Sequence, residues 1–227
     1  MPAADLPLLV RAALDAGPIA LRFWKRQPRA WDKGGTAGPV TEADLAVNAR
    51  LETLLRPARP DYGWLSEESA DEPARQDARH CFIVDPIDGT TNFMHAMPHF
   101  AITVGLERRA PDGSSEIVAG VTYNPVMNEM FWAEKGKGCY LNDARIRVAG
   151  RKDLSESLIA TGLPFIGKTG HAQAIKDIHA IGQRVAGIRR IEHVAHGVLG
   201  RSPPPPADAG SRSTGSTPIP RSARRPR

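Results

Sequence analysis

Two aspartates three residues apart, Asp85 and Asp88, follow a short apolar run, Phe82-Ile83-Val84, and lead at once into Gly89, Thr90 and Thr91. The run reads as the end of a buried strand, so both carboxylates are delivered to one edge. Pro86 fixes its own φ and favours a turn between them, and Gly89 lets the chain pass close to whatever they hold. Thr90 and Thr91 read as the first residues of a helix, whose free N–H groups suit a phosphate oxygen. Two like charges this close repel unless a cation or a proton sits between them, so these residue types point to a hard divalent metal plus phosphate. An isolated D-x-x-D-G is more often an ordinary turn, and the chemical reading therefore needs other acids to converge on the same place.

Two stretches supply such acids. In Val40-Thr41-Glu42-Ala43-Asp44, Thr41 reads as a helix cap, and Leu45, Leu51, Leu54 and Leu55 give the helix an apolar side. Asp44 has two readings from this segment alone, a first-turn residue that offsets the helix dipole or a member of the site. Trp64-Leu65-Ser66-Glu67-Glu68-Ser69 sets adjacent acids after a short strand candidate, although paired acids in a loop are more often solvated surface. Histidines offer no cluster: Pro98 separates His95 from His99, and His193 and His196 border a segment of different composition. Oxygen donors dominate, so Mg²⁺ is expected rather than zinc.

The elements that must position these residues follow from periodicity. Apolar residues from Leu6 to Trp24 recur on one helical face, with Pro18 expected to kink or divide the helix. Ala101 to Leu106 and Ile117 to Tyr123 read as strands across a polar turn at Pro111-Asp112-Gly113. Met130-Phe131-Trp132 and Cys139-Tyr140-Leu141-Asn142 flank a glycine-containing hairpin. Ser157 to Gly162 reads as a further strand and Ala172 to Val185 as a helix.

Length and composition permit one sizeable domain or two small ones, with 41% hydrophobic residues for a core. Residues 201–227 hold six Arg and one Asp, which leaves 24 basic and 24 acidic residues in the first 200. The net charge of +5 thus belongs to that segment, and the body is not marked as a nucleic-acid binder. Two cysteines, Cys81 and Cys139, are too few for a disulfide framework and predict reduced thiols and a cytoplasmic location. No signal-peptide core or membrane-length apolar run is present in the sequence.

The string Asp85-Pro86-Ile87-Asp88-Gly89-Thr90-Thr91-Asn92-Phe93 resembles the signature of the inositol monophosphatase family, the metal-dependent, lithium-sensitive sugar and polyol phosphatases. Val40 to Asp44 is similar to its V-T-x-x-D motif, and Ser66 to Ser69 to its G-E-E-S motif, with Ser66 in place of Gly. Gly120-Val121 to Asn124-Pro125 and Gly136 to Asn142 resemble its central sheet. The resemblance implies an α/β fold, a layered α-β-α-β-α sandwich with its C-terminal layers incomplete, over residues 1–191. It implies that Glu67, Asp85 and the Ile87 carbonyl hold a first metal, and Asp85 and Asp88 a second. Glu67 and Thr90 would orient the attacking water, with Asp44 bonded to Thr90 and helping to hold a third metal. The amides of Gly89 and Thr90 would bind phosphate, and Asp88 would face a substrate hydroxyl. A small phosphorylated polyol substrate, inositol 1-phosphate first, and a homodimer are also implied.

After Ile191 the family would continue with a Gly-Ser start, a long helix and a Trp-Asp pair carrying another metal carboxylate. The chain instead reads Glu192-His193-Val194-Ala195-His196 and drifts into Arg, Pro, Ser, Gly, Ala and Thr, which make up all but Asp208 and Ile219 of residues 201–227; residues 192–227 are expected to stay disordered, with a composition that a GC-rich gene gives when read out of frame. Two alternatives remain: another small monoester such as histidinol phosphate, or a non-catalytic protein that holds nucleic acid or acidic partners with its basic segment. The second rests on arginines without interleaved aromatics, a weak footprint.

Overall fold

In a computed structural model, residues 5–34, 38–161 and 171–190 are described. The elements run α1 (Asp5–Phe23), β1 (Ala30–Asp32), β2 (Pro39–Thr41), α2 (Glu42–Ala58), β3 (Gly63–Ser66), β4 (His80–Asp88), α3 (Thr90–Met94), β5 (Ala101–Arg109), β6 (Ser115–Asn124), β7 (Glu129–Glu134), β8 (Gly138–Leu141), β9 (Ala144–Ile146), β10 (Leu158–Thr161), α4 (His171–Gly182) and β11 (Gly187–Arg190). The segment assigned to a disordered tail, 192–227, lies outside the described residues.

β3 to β9 form one seven-stranded sheet in chain order. β3 and β4 are parallel and every later neighbour is antiparallel. Period-2 alternation fixes which side is buried. Phe82 and Val84 of β4, Ile102, Val104 and Leu106 of β5 and Val121 of β6 turn to a core closed by α1 and α2. The alanines of α1, Ala12, Ala13, Ala16 and Ala20, are buried and let this helix lie close against its neighbours. At Gly17 the approach is closest, since a Cβ there would stand 2.6 Å from the Tyr123 ring. β10, α4 and β11 make a separate parallel crossover unit. Helices against a mainly antiparallel sheet, with a second strand-helix-strand unit, agree with the expected α/β layering.

Three expectations change. α1 runs through Pro18 as one helix, so of the kink or division expected there the division does not occur. A proline forfeits one backbone hydrogen bond, and here the buried face on both sides of it keeps the helix together. Pro86 does not end β4 in a turn: the strand continues to Asp88, with a register irregularity between Asp85 and Asp88, as a proline within a bulge allows. The loop around Lys33 carries a short antiparallel pair, β1 with β2, that no alternation announced. Cys81 and Cys139 are free. Among the described residues no helix is long and apolar enough to cross a membrane.

Candidate active site

Sheet register explains how acids distant in sequence meet. β3 pairs in parallel with β4 so that Ser66 stands opposite Val84, and the Glu67 N–H donates to the Val84 carbonyl at 3.1 Å. One residue further along each strand come Glu67 and Asp85. The irregularity in β4 then advances the chain to Asp88, which pairs with Ala101 of β5 and is 7% exposed. Gly89 follows at φ +90°, where an added Cβ would meet the His99 carbonyl oxygen at 2.9 Å, so only glycine suits this turn. It caps α3, which begins at Thr90, and the Phe93 N–H donates to the Gly89 carbonyl at 3.0 Å.

Asp44 arrives from α2 and is 1% exposed. Its Oδ2 accepts from the Thr41 N–H at 2.9 Å and the Thr41 hydroxyl at 2.5 Å, while Thr41 Oγ1 accepts from the Ala43 N–H at 3.2 Å. This capping box uses one carboxylate oxygen and leaves Oδ1 toward α3. The Thr90 hydroxyl lies 3.1 Å from that Oδ1 and 3.0 Å from the Ile87 carbonyl oxygen, two acceptors for one proton. Asp44 thus completes the capping box of α2 and also touches Thr90.

Ser66, the departure from glycine, has a place of its own. Its hydroxyl donates to Asn48 Oδ1 at 2.6 Å and accepts from the Glu68 N–H at 3.2 Å, tying the end of β3 to α2. Its backbone is not in the left-handed region, so a serine fits without strain.

The cluster is strongly anionic. Burial pushes the Asp85 carboxyl up to about 8, reinforced in turn by Asp88, Glu67, Asp44 and Glu68. Burial also raises Asp44, against the hydrogen bonds from Thr41 and Thr90, and raises Glu68, against Lys33. Asp85 feels the other four acids, and a nearby cation would favour its ionised form. The donors are all oxygens, which suits a hard divalent ion, so the residues fit Mg²⁺ by chemistry. Among the described residues no three His, Cys, Asp or Glu side chains already stand as a metal cage. His95 and His99 belong to no such group either.

One cation is present that the motifs do not announce. Lys33 Nζ lies 2.9 Å from Glu67 Oε1 and 2.6 Å from Glu68 Oε1. A lysine before two glycines reads as loop, and only the β1 and β2 pairing brings it to the acids. Glu68, in sequence merely half of an acidic pair, has a side chain that is 5% exposed.

The sequence profile described as the inositol monophosphatase family matches residues 4–195. An inositol-1-monophosphatase of Caulobacter vibrioides is 52% identical over 159 residues, which cover 70% of this chain and 60% of that protein. A Nus factor SuhB of Pasteurella multocida is 34% identical over 161 residues, covering 70% of this chain and 58% of its own length. Among solved structures, the extragenic suppressor protein suhB of Bartonella henselae superposes with a TM-score of 0.76 at 38% identity, over 84% of this chain and 71% of that one. The chain thus spans less than two thirds of either curated relative. With the matched profile running through the capping box, the paired strands and the Asp85 to Phe93 turn, the chain belongs to the inositol monophosphatase family.

Proposed function

We propose that the chain hydrolyses a phosphate monoester, inositol 1-phosphate or a related polyol phosphate, with Mg²⁺ as cofactor. The observation that carries this reading is the gathering of Asp44, Glu67, Glu68 and Asp88 around Asp85, whose carboxyl they help to raise, with the Thr90 hydroxyl on Asp44. Glu67, Asp85 and the Ile87 carbonyl would hold a first metal, and Asp85 and Asp88 a second. When bound, such ions supply Lewis-acid charge and make water a better nucleophile at neutral pH.

The chain's own residues do the rest. Asp44 takes the Thr90 hydroxyl proton into a hydrogen bond, which leaves a Thr90 lone pair to accept from the attacking water. Glu67 accepts the other proton of that water, so the two side chains aim its oxygen. The Gly89 and Thr90 amides, at the start of α3, donate to phosphate oxygens. Asp88 accepts from a substrate hydroxyl. As wider parts of the proposal, residues 1–191 form the catalytic body, the chain works in the cytoplasm, and two copies pair.

Release of phosphate from inositol 1-phosphate, with and without Mg²⁺, tests this in the 227-residue chain. Turnover is expected to need Mg²⁺ and to fall about 10²-fold or more in Thr90→Ala, while Thr90→Ser keeps most of it. Mg²⁺-independent release, or a Thr90→Ala protein as fast as the parent, would contradict the proposal. A second reading, a non-catalytic protein that holds nucleic acid or acidic partners with its basic segment, rests on the six arginines of residues 201–227. Salt-dependent retention on RNA that disappears when residues 201–227 are deleted would favour it.

A further inference from the structure

Lys33 follows the last residue of β1, and its N–H donates to the carbonyl of Gly38, the residue before β2, at 3.2 Å. Its ammonium therefore starts from a fixed backbone. It spans two consecutive acids on another element, Glu67 Oε1 at 2.9 Å and Glu68 Oε1 at 2.6 Å. The two acids differ in surroundings. The Glu68 side chain is 5% exposed and that of Glu67 48%, while Lys33 itself is 17% exposed. An ordinary surface ion pair is open at both ends; here the lysine and one acid are sequestered and only the second acid faces outward.

Burial works against the Lys33 charge, yet the hydrogen bonds to Glu68 and Glu67 outweigh it and hold the ammonium above its ordinary range. Lys33 stays charged at neutral pH. Glu67 is the open member of the pair and the one assigned to the metal, so a divalent ion reaching Glu67 meets an oxygen already engaged by an ammonium. Glu68, shorter in contact and buried, is the acid that can keep the lysine.

We propose that Lys33 is the resident counter-cation of the acidic site, neutralising Glu67 and Glu68 in the metal-free chain and withdrawing to Glu68 alone when a divalent cation takes Glu67. This rests on the metal reading above. Lys33 is then a positioning residue that sets how tightly the site takes its cation. It keeps the acids from repelling one another before the ion arrives, and competition for Glu67 weakens the binding.

Two measurements on the full 227-residue chain test this. By calorimetry with MgCl₂ alone, Lys33→Gln is expected to bind Mg²⁺ at least about fivefold more tightly than wild type, because a full positive charge within contact distance of the ion's ligand is gone. Lys33→Arg, which keeps the charge, stays within about twofold of wild type. By thermal unfolding, metal-free Lys33→Gln melts below wild type and gains more from saturating Mg²⁺, since its carboxylates are no longer neutralised. Equal or weaker Mg²⁺ affinity in Lys33→Gln overturns the role of Lys33 and leaves the metal reading standing. Absence of Mg²⁺ binding in both proteins overturns the metal reading and the role of Lys33 with it.

Discussion

Asp85 has much to gain from a cation. Its ordinary value of 3.8 is raised to about 8, first by burial and then by Asp88, Glu67, Asp44 and Glu68. Between those two values the folded chain holds a proton that the unfolded chain has released, so metal-free stability falls as pH rises from about 4 to about 8. Asp44 and Glu68, raised for the same first cause, add to the fall. A tenfold change in a carboxyl's proton affinity corresponds to about 1.4 kcal/mol, so the effect is visible in a melting temperature. In EDTA the melting temperature is expected to drop between pH 5 and pH 8, to recover at pH 8 on adding Mg²⁺, and to drop less in Asp85→Asn. A metal-free melting temperature that stays level over that range would contradict the electrostatic account. Asp44, Glu67, Asp85, Asp88 and Thr90 stand in short motifs that the family resemblance singles out, whereas their spacing alone reads as readily as turn, cap or surface. Lys33 was not legible in the sequence, because its partners are 34 and 35 residues away and only strand pairing joins them.

Among elements, the segment from β4 to α3 carries the most constraint. Gly89 sits at φ +90° between a strand and a helix, with the His99 carbonyl where a side chain would go. The same carbonyl accepts from Asn92 Nδ2 at 2.8 Å, and Phe93 meets Phe100 edge to face at 4.8 Å, so the return loop is fastened to the helix it contacts. Gly89→Ala is expected to cost about 1–2 kcal/mol from backbone conformation alone, and more if the His99 carbonyl cannot move. Denaturant unfolding measures it, and an unchanged midpoint would mean that the turn is free to rearrange. Strands and helices with clear periodicity were readable from sequence, down to the Thr41 cap of α2 and the hairpin glycines at 136 and 138. What local pattern could not show was the extension of β4 through Pro86, since a proline at a strand end and one inside a bulge look alike in sequence. Nor could it show β1 and β2, three residues each, which are too short for alternation to register.

For the whole molecule, the site depends on how a sheet and a helix pair are assembled. α2 packs against β4 and brings Asp44 to Thr90; the parallel register of β3 on β4 brings Glu67 beside Asp85. A parallel pair is invisible to pattern reading, because nothing local distinguishes it from an antiparallel one. Here the family resemblance supplied what periodicity could not, and the matched profile ends at residue 195, near the change in composition after Ile191.

Whether these assembled carboxylates form a divalent-cation site is decided by titration calorimetry with Mg²⁺ on wild type and Asp88→Asn. Asp88 is 7% exposed within the cluster, and its amide variant keeps the shape while removing one charge. Wild type is expected to bind Mg²⁺ and Asp88→Asn to bind it about tenfold or more weakly. Equal affinity in the two proteins would contradict such a site.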